Sequence, residues 1–176
     1  KISIYVLIRF DFFVFQGNLS AHDWQFSYFL MPLSILGILV ASMVAIFETN
    51  LKRLLAWSSV AQIGYIILGA SLVSAAGLTA SLLHMFNHAI AKGTVFLALT
   101  CLALSISHLD LRNIGGVAKR MPWTMAAFVV GGLSLIGVPG TAGFISKWYL
   151  IQAALDMGDL ALPLIAVILI GSVMAV

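Results

Sequence analysis

Charge is scarce in these 176 residues. Asp, Glu, Lys and Arg together make up 9% of the chain, against 62% hydrophobic residues, and the mean hydropathy is +1.11. A soluble domain is about a quarter charged, so a water-facing globular fold is excluded and the chain belongs in a bilayer. The apolar character runs from end to end, which excludes a soluble body on a single anchor. Cysteine is nearly missing. Cys101 alone can form neither an intrachain disulfide nor a multi-cysteine metal or iron–sulfur site, and sitting in an apolar run it is expected to serve in packing. Carboxylates are few, with Glu48 the one glutamate. A nucleotide or flavin motif is also lacking, since the glycine pairs at 115–116 and 131–132 read as loop and packing glycines, and no cofactor is expected. The basic residues fall mostly at the ends of apolar runs, as membrane flanks do, and do not point to nucleic acid. There is no initiating Met, and Lys1 stands in mid-pattern, so the chain is expected to be a fragment with no signal peptide to interpret.

What is present is a series of apolar runs. A membrane helix needs about 20 apolar residues at roughly 1.5 Å rise each. Residues 1–10 read as the tail of a span, and 11–25, with Gly17, Asn18, His22 and Asp23, as a loop. Residues 26–48 form a full span with Pro32 near its start, where proline is tolerated. After the polar break "ETNLKR", further spans cover 54–73 and, beyond the turn "SAAG", 78–106. The loop 107–121 is the most polar stretch, with Pro122 restarting a helix, and the span 123–138 stops at Pro139-Gly140. Residues 144–155 are apolar but short, "DMGDLALP" interrupts them, and 164–176 resume. Two short halves around such an interruption suggest a discontinuous membrane helix, with two ordinary spans and a loop as the alternative. If spans alternate, loops 49–53 and 107–121 share one side with Lys52, Arg53, Arg112, Lys119 and Arg120, while only Arg9 borders the other. The positive-inside rule makes the first side cytoplasmic.

The run "SLLHMFNHAIAKGTVFLALTCLALSIS" at 81–107 carries three ionisable groups. On insertion scales each mid-bilayer charge costs about 2.5–3.5 kcal/mol, so each needs a reason. His84, His88 and Lys92 are spaced i, i+4, i+8 and stack along one helix face over about 12 Å. Histidine titrates near neutral pH, and a row of such groups bridged by water can pass protons along. A lone intramembrane histidine is more often a hydrogen-bonded packing residue, but three groups in register ending in lysine favour the polar file. Two histidines at i, i+4 could also share a metal. Against that stand the absence of "HExxH", of a nearby Asp, Glu or Cys on that face, and the cation at Lys92. Lys147 follows "GVPGTAGF" in the first half of the suspected broken helix, Lys1 is mid-membrane if residues precede it, and Lys52 stands one turn after Glu48. Lys147 could instead be a snorkelling residue near an interface, and Lys52 an ordinary flanking lysine.

The stretches "KISIYVLIRF", "NLKRLLAWSSVAQIGYIILGASL", "HMFNHAIAKGTVFL" and "LDLRNIGGVAKRMPWTMAAFVVGGLSLIGVPGTAGFISKWYLIQAAL", in this order, resemble one family. It is the antiporter-like membrane subunits shared by respiratory complex I (NADH-quinone oxidoreductase), membrane-bound hydrogenases and multisubunit cation/proton antiporters. Among its members the chain looks most like the D-type component of the cation/proton antiporters. The resemblance implies an all-α polytopic bundle of transmembrane helices with a discontinuous helix, part of a fold of inverted repeats. The chain would form a single membrane domain over 1–176, with 1–48 ending the first repeat and 49–176 holding most of the second. It further implies a lysine on a broken helix in each repeat, matched here by Lys1 and Lys147, and a central file matched by Lys52, His84, His88 and Lys92. The family's glutamate partner of the first lysine would lie on a helix this chain does not contain. Expected partners are other membrane subunits of a multisubunit complex, lipid, protons and either Na⁺ or K⁺. The expected location is the inner or plasma membrane of a prokaryotic cell. The expected activity is proton translocation without covalent chemistry of its own. A non-transporting scaffold of a redox complex is the alternative, and an intramembrane metal enzyme a third.

Overall fold

The computed structural model describes residues 2–14, 19–105, 109–111 and 115–175. Among these residues every regular element is helical: α1 (Ile2–Val14), α2 (Leu19–Phe47), α3 (Leu51–Ser71), α4 (Ala75–Ser105), α5 (Val117–Arg120), α6 (Pro122–Ile136), α7 (Ala142–Leu155) and α8 (Ala161–Val173). Stretches of α2, α3 and α4 are long and apolar enough to cross a membrane. Of the loop expected over 11–25, residues 11–14 belong to α1 and 19–25 to α2. Helix continues to Val14 and resumes at Leu19, so His22 and Asp23 lie in the first turns of α2. Pro32 consequently stands inside α2 and not near its start. A proline there removes one backbone donor, which a membrane helix tolerates when neighbouring groups make up the loss. Lys1 and Arg112 lie outside the described residues.

Helices α2, α3 and α4 form consecutive antiparallel hairpins. Asn50 caps α3, its side-chain oxygen accepting the Lys52 N–H at 3.0 Å. Ser74 does the same for α4, accepting the Gly77 N–H at 2.9 Å. The turn between α2 and α3 meets the segment that follows α4. There the Leu51 N–H donates to the Leu109 carbonyl at 3.0 Å, and the Leu111 N–H to the Thr49 carbonyl at 3.1 Å. These two connections therefore share one end of the bundle, as alternating spans require. Against α3 and α4 packs α1, through Ile8 on Ile66 and Ala70.

Helices α6 and α7 lie end to end along α4. Met125 and Phe128 of α6 join Val95, Leu99 and Leu102 of α4, and Gly131 lies close on Val95 and Ala91. Further along α4, the Asn87 amide donates to the Ala142 carbonyl at 2.8 Å. Beyond that, Leu150 and Ala153 of α7 share a core with Ala80. Descending α4 from residue 102 to 80 thus follows α6 and then α7 in order. At 15 and 14 residues each half is only about 22 Å long, short of a bilayer, but together they reach across. The break between them holds Pro139, and Gly137 and Gly140 with φ of 90° and 92°, a region that favours glycine. Gly143 has no room for a Cβ, because the Ser134 carbonyl of α6 occupies that place.

The discontinuous helix is therefore at 137–141, one element earlier than "DMGDLALP". At the expected site the chain turns back. Lys147 of α7 lies 3.0 Å from Ser172 of α8, whereas 25 residues of continuing helix would separate them by about 37 Å. Gly, Asp and Pro stop a helix without dictating whether the chain then goes on or returns. It returns here because Leu164 and Ile168 of α8 complete the core of Ile38, Tyr65, Leu68 and Leu150. Cys101 is exposed, off the buried stripe of Ala98, Leu99 and Leu102.

Candidate functional site

The buried face of α4 runs through Gly77, Ser81, His84, His88, Lys92, Val95, Leu99 and Leu102, spaced three and four residues apart. Because α4 is flanked by α3 on one side and the α6–α7 line on the other, this stripe faces the interior of the bundle. His84, His88, Lys92 and Lys147 are exposed by only 3, 2, 3 and 4%. The structure thus brings four of the six sequence candidates into the interior. Lys52 is exposed in the first turn of α3, and Lys1 is outside the described residues.

His84 is the centre of a hydrogen-bonded network. Its Nε2 lies 2.9 Å from Gln62 Oε1 of α3, and its Nδ1 lies 2.9 Å from Ser146 Oγ of α7. The Gln62 amide donates onward to the Leu135 carbonyl at 3.2 Å. That same carbonyl accepts from Lys147 Nζ at 3.2 Å. Lys147 also donates to the Ile136 carbonyl at 2.7 Å and to Ser172 Oγ at 3.0 Å. All three partners are neutral oxygens. Two of them are available because α6 stops at Ile136, leaving its last carbonyls without the next turn's donors. The lysine side chain, leaning back toward the start of α7, caps the end of α6 across the break. The ring of Tyr65 completes this end, with its centroid 4.9 Å from Lys147 Nζ and 5.6 Å from the edge-on His84 ring. Its hydroxyl donates to the Ile168 carbonyl at 3.3 Å.

Along α4, His88 stacks on His84 with centroids 6.3 Å apart. Lys92 Nζ donates to the Leu55 carbonyl of α3 at 2.7 Å and lies 5.8 Å from the Phe96 ring. The Leu55 carbonyl also accepts from Ser59 Oγ at 2.9 Å. Two cavities touch the group. One of about 360 Å³, lined by Ser42, Leu54, Ser58, Leu111 and Met174, reaches Gln62 from the end where the loops meet. Another of about 100 Å³, lined by Gly137, Phe144, Trp148, Ile168 and Ser172, reaches Lys147 at the break. The first has the size and polar lining to hold water, and the second is mostly apolar, with Lys147 and Ser172 as its polar side chains. Among the described residues no three His, Cys, Asp or Glu side chains stand together as metal ligands.

Gln62, Tyr65, Ser146 and Ser172 were not among the sequence candidates. Gln62 and Tyr65 carried a signal, an uncharged polar pair at i, i+3 inside an apolar span. Ser146 and Ser172 carried none, since serine is common in membrane helices.

The family description NADH:quinone oxidoreductase/Mrp antiporter, TM, matches residues 1–175. Among curated proteins, NADH-quinone oxidoreductase subunit N of Desulforudis audaxviator is 37% identical over 180 residues, covering 99% of this chain and 34% of its own length. Hydrogenase-4 component B of Escherichia coli K12 is 34% identical over 139 residues, covering 73% of this chain and 21% of its own length. Among solved structures, the Mrp complex from Dietzia sp. DQ12-45-1b holds a chain 33% identical with a TM-score of 0.88, covering 99% of this chain and 31% of that one. The chain spans about a third or less of the length of these relatives.

Proposed function

The chain belongs to the NADH:quinone oxidoreductase/Mrp antiporter membrane family, and from that premise we propose that it moves protons along its buried lysine and histidine groups. It is an integral, multi-pass membrane protein, so such groups face a medium that penalises charge without a use. The observation that carries the reading is the burial of Lys147, His84, His88 and Lys92 together inside the bundle, each 4% exposed or less, with His88 stacked on His84. The interrupted α6–α7 line supports it, because its free carbonyls let an ammonium stay inside the membrane without a counter-carboxylate.

In this mechanism Lys147 exchanges protons with water in the cavity at the break. His84, His88 and Lys92 relay the charge along the face of α4 through bridging water, with Lys92 at the Leu55 end. Lys52 and Lys1 extend the file toward the rest of the longer protein. Like charges repel, so a proton on one lysine weakens the hold of the next, which advances protons in steps. We assign residues 1–48 to the end of one inverted repeat and 49–176 to most of a second, working beside other membrane subunits. Lipid surrounds them, in a prokaryotic inner or plasma membrane with loops 49–53 and 107–121 in the cytoplasm. Na⁺ or K⁺ would be the exchanged ion if the parent complex is a cation/proton antiporter, whose D-type component is the member these motifs most resemble.

The test uses the full-length protein in its complex, reconstituted in vesicles, with Lys92→Met. ΔpH is read with a fluorescent dye, and Na⁺ and K⁺ pulses are added in separate runs. A loss of ΔpH formation in an intact, fully assembled complex supports the relay. A dye response to one cation identifies exchange. Normal ΔpH formation in the variant overturns the relay and leaves a non-transporting scaffold.

A further inference from the structure

The two nitrogens of His84 face unequal partners. Gln62 donates its amide N–H to the Leu135 carbonyl at 3.2 Å, which turns Oε1 toward His84 Nε2 at 2.9 Å. The opposite amide orientation would set two acceptor oxygens against each other at the Leu135 carbonyl. An amide oxygen only accepts, so His84 Nε2 must carry a hydrogen. Ser146 Oγ, at 2.9 Å from Nδ1, is a hydroxyl that both donates and accepts. It also lies 3.0 Å from the Gly143 carbonyl of its own helix. Gln62, Ser146 and Gly143 are buried, so water does not substitute for any of these bonds.

From this asymmetry we infer that Gln62 is a positioning residue that fixes the His84 tautomer, making proton exchange at His84 one-sided, through Nδ1 and Ser146. In the neutral ring Nδ1 accepts the Ser146 O–H. When a proton reaches Ser146 Oγ from the α7 side, the hydroxyl hydrogen already there passes to Nδ1 and the arriving proton takes its place. The ring then holds two N–H groups and a positive charge. Nδ1–H donates to Ser146 Oγ, and the new hydroxyl hydrogen turns to the Gly143 carbonyl. Every group is satisfied in both states, and the only motion is a hydroxyl rotation. Transit through the ring, in at one nitrogen and out at the other, is closed, because an amide oxygen is a poor base. Gln62 also lines the 360 Å³ cavity, which His84 does not. The groups facing His84 are Gln62 and Tyr65 of α3, His88 of α4 and Ser146 of α7, and the charge of Lys147 on α7, which shares the Tyr65 ring, acts on it as well. None of the others sets an acceptor on Nε2.

The consequence for transport rests on the proposed relay; the tautomer does not. It is measured by solid-state ¹⁵N NMR on the full-length protein in its complex, in lipid, labelled with ¹⁵N-histidine. The His84 signals are identified by their loss in His84→Gln, at an alkaline pH where the ring is neutral. The wild type should show the hydrogen on Nε2, with a preference of about tenfold or more set by one buried hydrogen bond. Gln62→Glu keeps an acceptor oxygen and should keep that tautomer. Gln62→Leu keeps the bulk without the acceptor and should bring the two tautomers toward equal populations. A wild-type hydrogen on Nδ1, or the same preference in Gln62→Leu as in wild type, overturns the inference. Should Gln62→Leu fail to assemble, Gln62→Glu decides: loss of the Nε2 tautomer there overturns it and retention supports it. ΔpH formation by His84→Gln in the same vesicles bears on the relay alone, so normal pumping would sink the relay and leave the tautomer assignment standing.

Discussion

Helix α4 and the α6–α7 line run side by side, antiparallel, and bring polarity into the membrane by different means. α4 is continuous over 31 residues and keeps its own backbone paired, so its polarity comes from side chains at 84, 88 and 92. The α6–α7 line gives up helix at 137–141 and offers backbone carbonyls at Leu135 and Ile136, which Lys147 from beyond the break takes up. A side chain can rotate or be replaced singly, whereas carbonyls exposed by a break stay only as long as the break does. The two lysines are thus held by different things: Lys92 draws on an intact helix's side of the bundle, and Lys147 on the interruption itself.

The largest effect should come from closing the interruption's tight contact. Gly143→Val sets a branched side chain where the Ser134 carbonyl lies. It should destabilise the protein by about 3 kcal/mol or more, as overpacking with backbone displacement does. Thermal unfolding of the purified complex, or loss of this chain from it, reads the effect. The same substitution at Gly93, where a Cβ meets nothing within 4 Å, should leave the melting temperature nearly unchanged.

Next comes Ser146→Ala, which removes the hydroxyl facing His84 Nδ1. The loss of one partner of a buried pair costs about 1–3 kcal/mol, and proton translocation should fall several-fold. Ser146→Thr, retaining a hydroxyl, should recover most of the rate. Equal rates in Ser146→Ala and wild type would remove Ser146 from the path.

Much of this contrast was legible in the sequence, and the rest was hidden for physical reasons. The spans at 26–48, 54–73 and 78–106 fall on α2, α3 and α4, each of which starts earlier than the apolar run, because a long apolar run in a bilayer has little choice but helix. The stripe of His84, His88 and Lys92 was readable because a period of three to four places residues on one face, and charge fixes that face inward. The location of the break was not readable. "GVPGT" and "DMGDL" both hold residues that stop a helix, and only packing against α4 and α2 decides where the chain continues and where it returns. Gln62 and Ser146 escaped notice because a neutral polar residue becomes informative only when something stands opposite. Lys52 shows the reverse limit, since a motif gives a position and not a burial.

The smallest effect should follow from Lys52→Ala. An exposed lysine can be replaced by water and ions as a charge carrier, so ΔpH formation should fall by no more than about twofold, as for other exposed charges. A deeper loss would mean that a helix from the rest of the longer protein covers it.

The most direct test of the central claim is the initial rate of ΔpH formation with Lys147→Met in the full-length protein, in its complex, at matched amounts of assembled protein. Methionine keeps the length and apolar stem of lysine but cannot hold a proton. If Lys147 exchanges protons at the break, the rate falls by about tenfold or more, the loss of a step's only carrier. A rate within about twofold of wild type, a difference of under 1 kcal/mol in the barrier, would contradict the account and leave Lys147 as a cap on α6 alone.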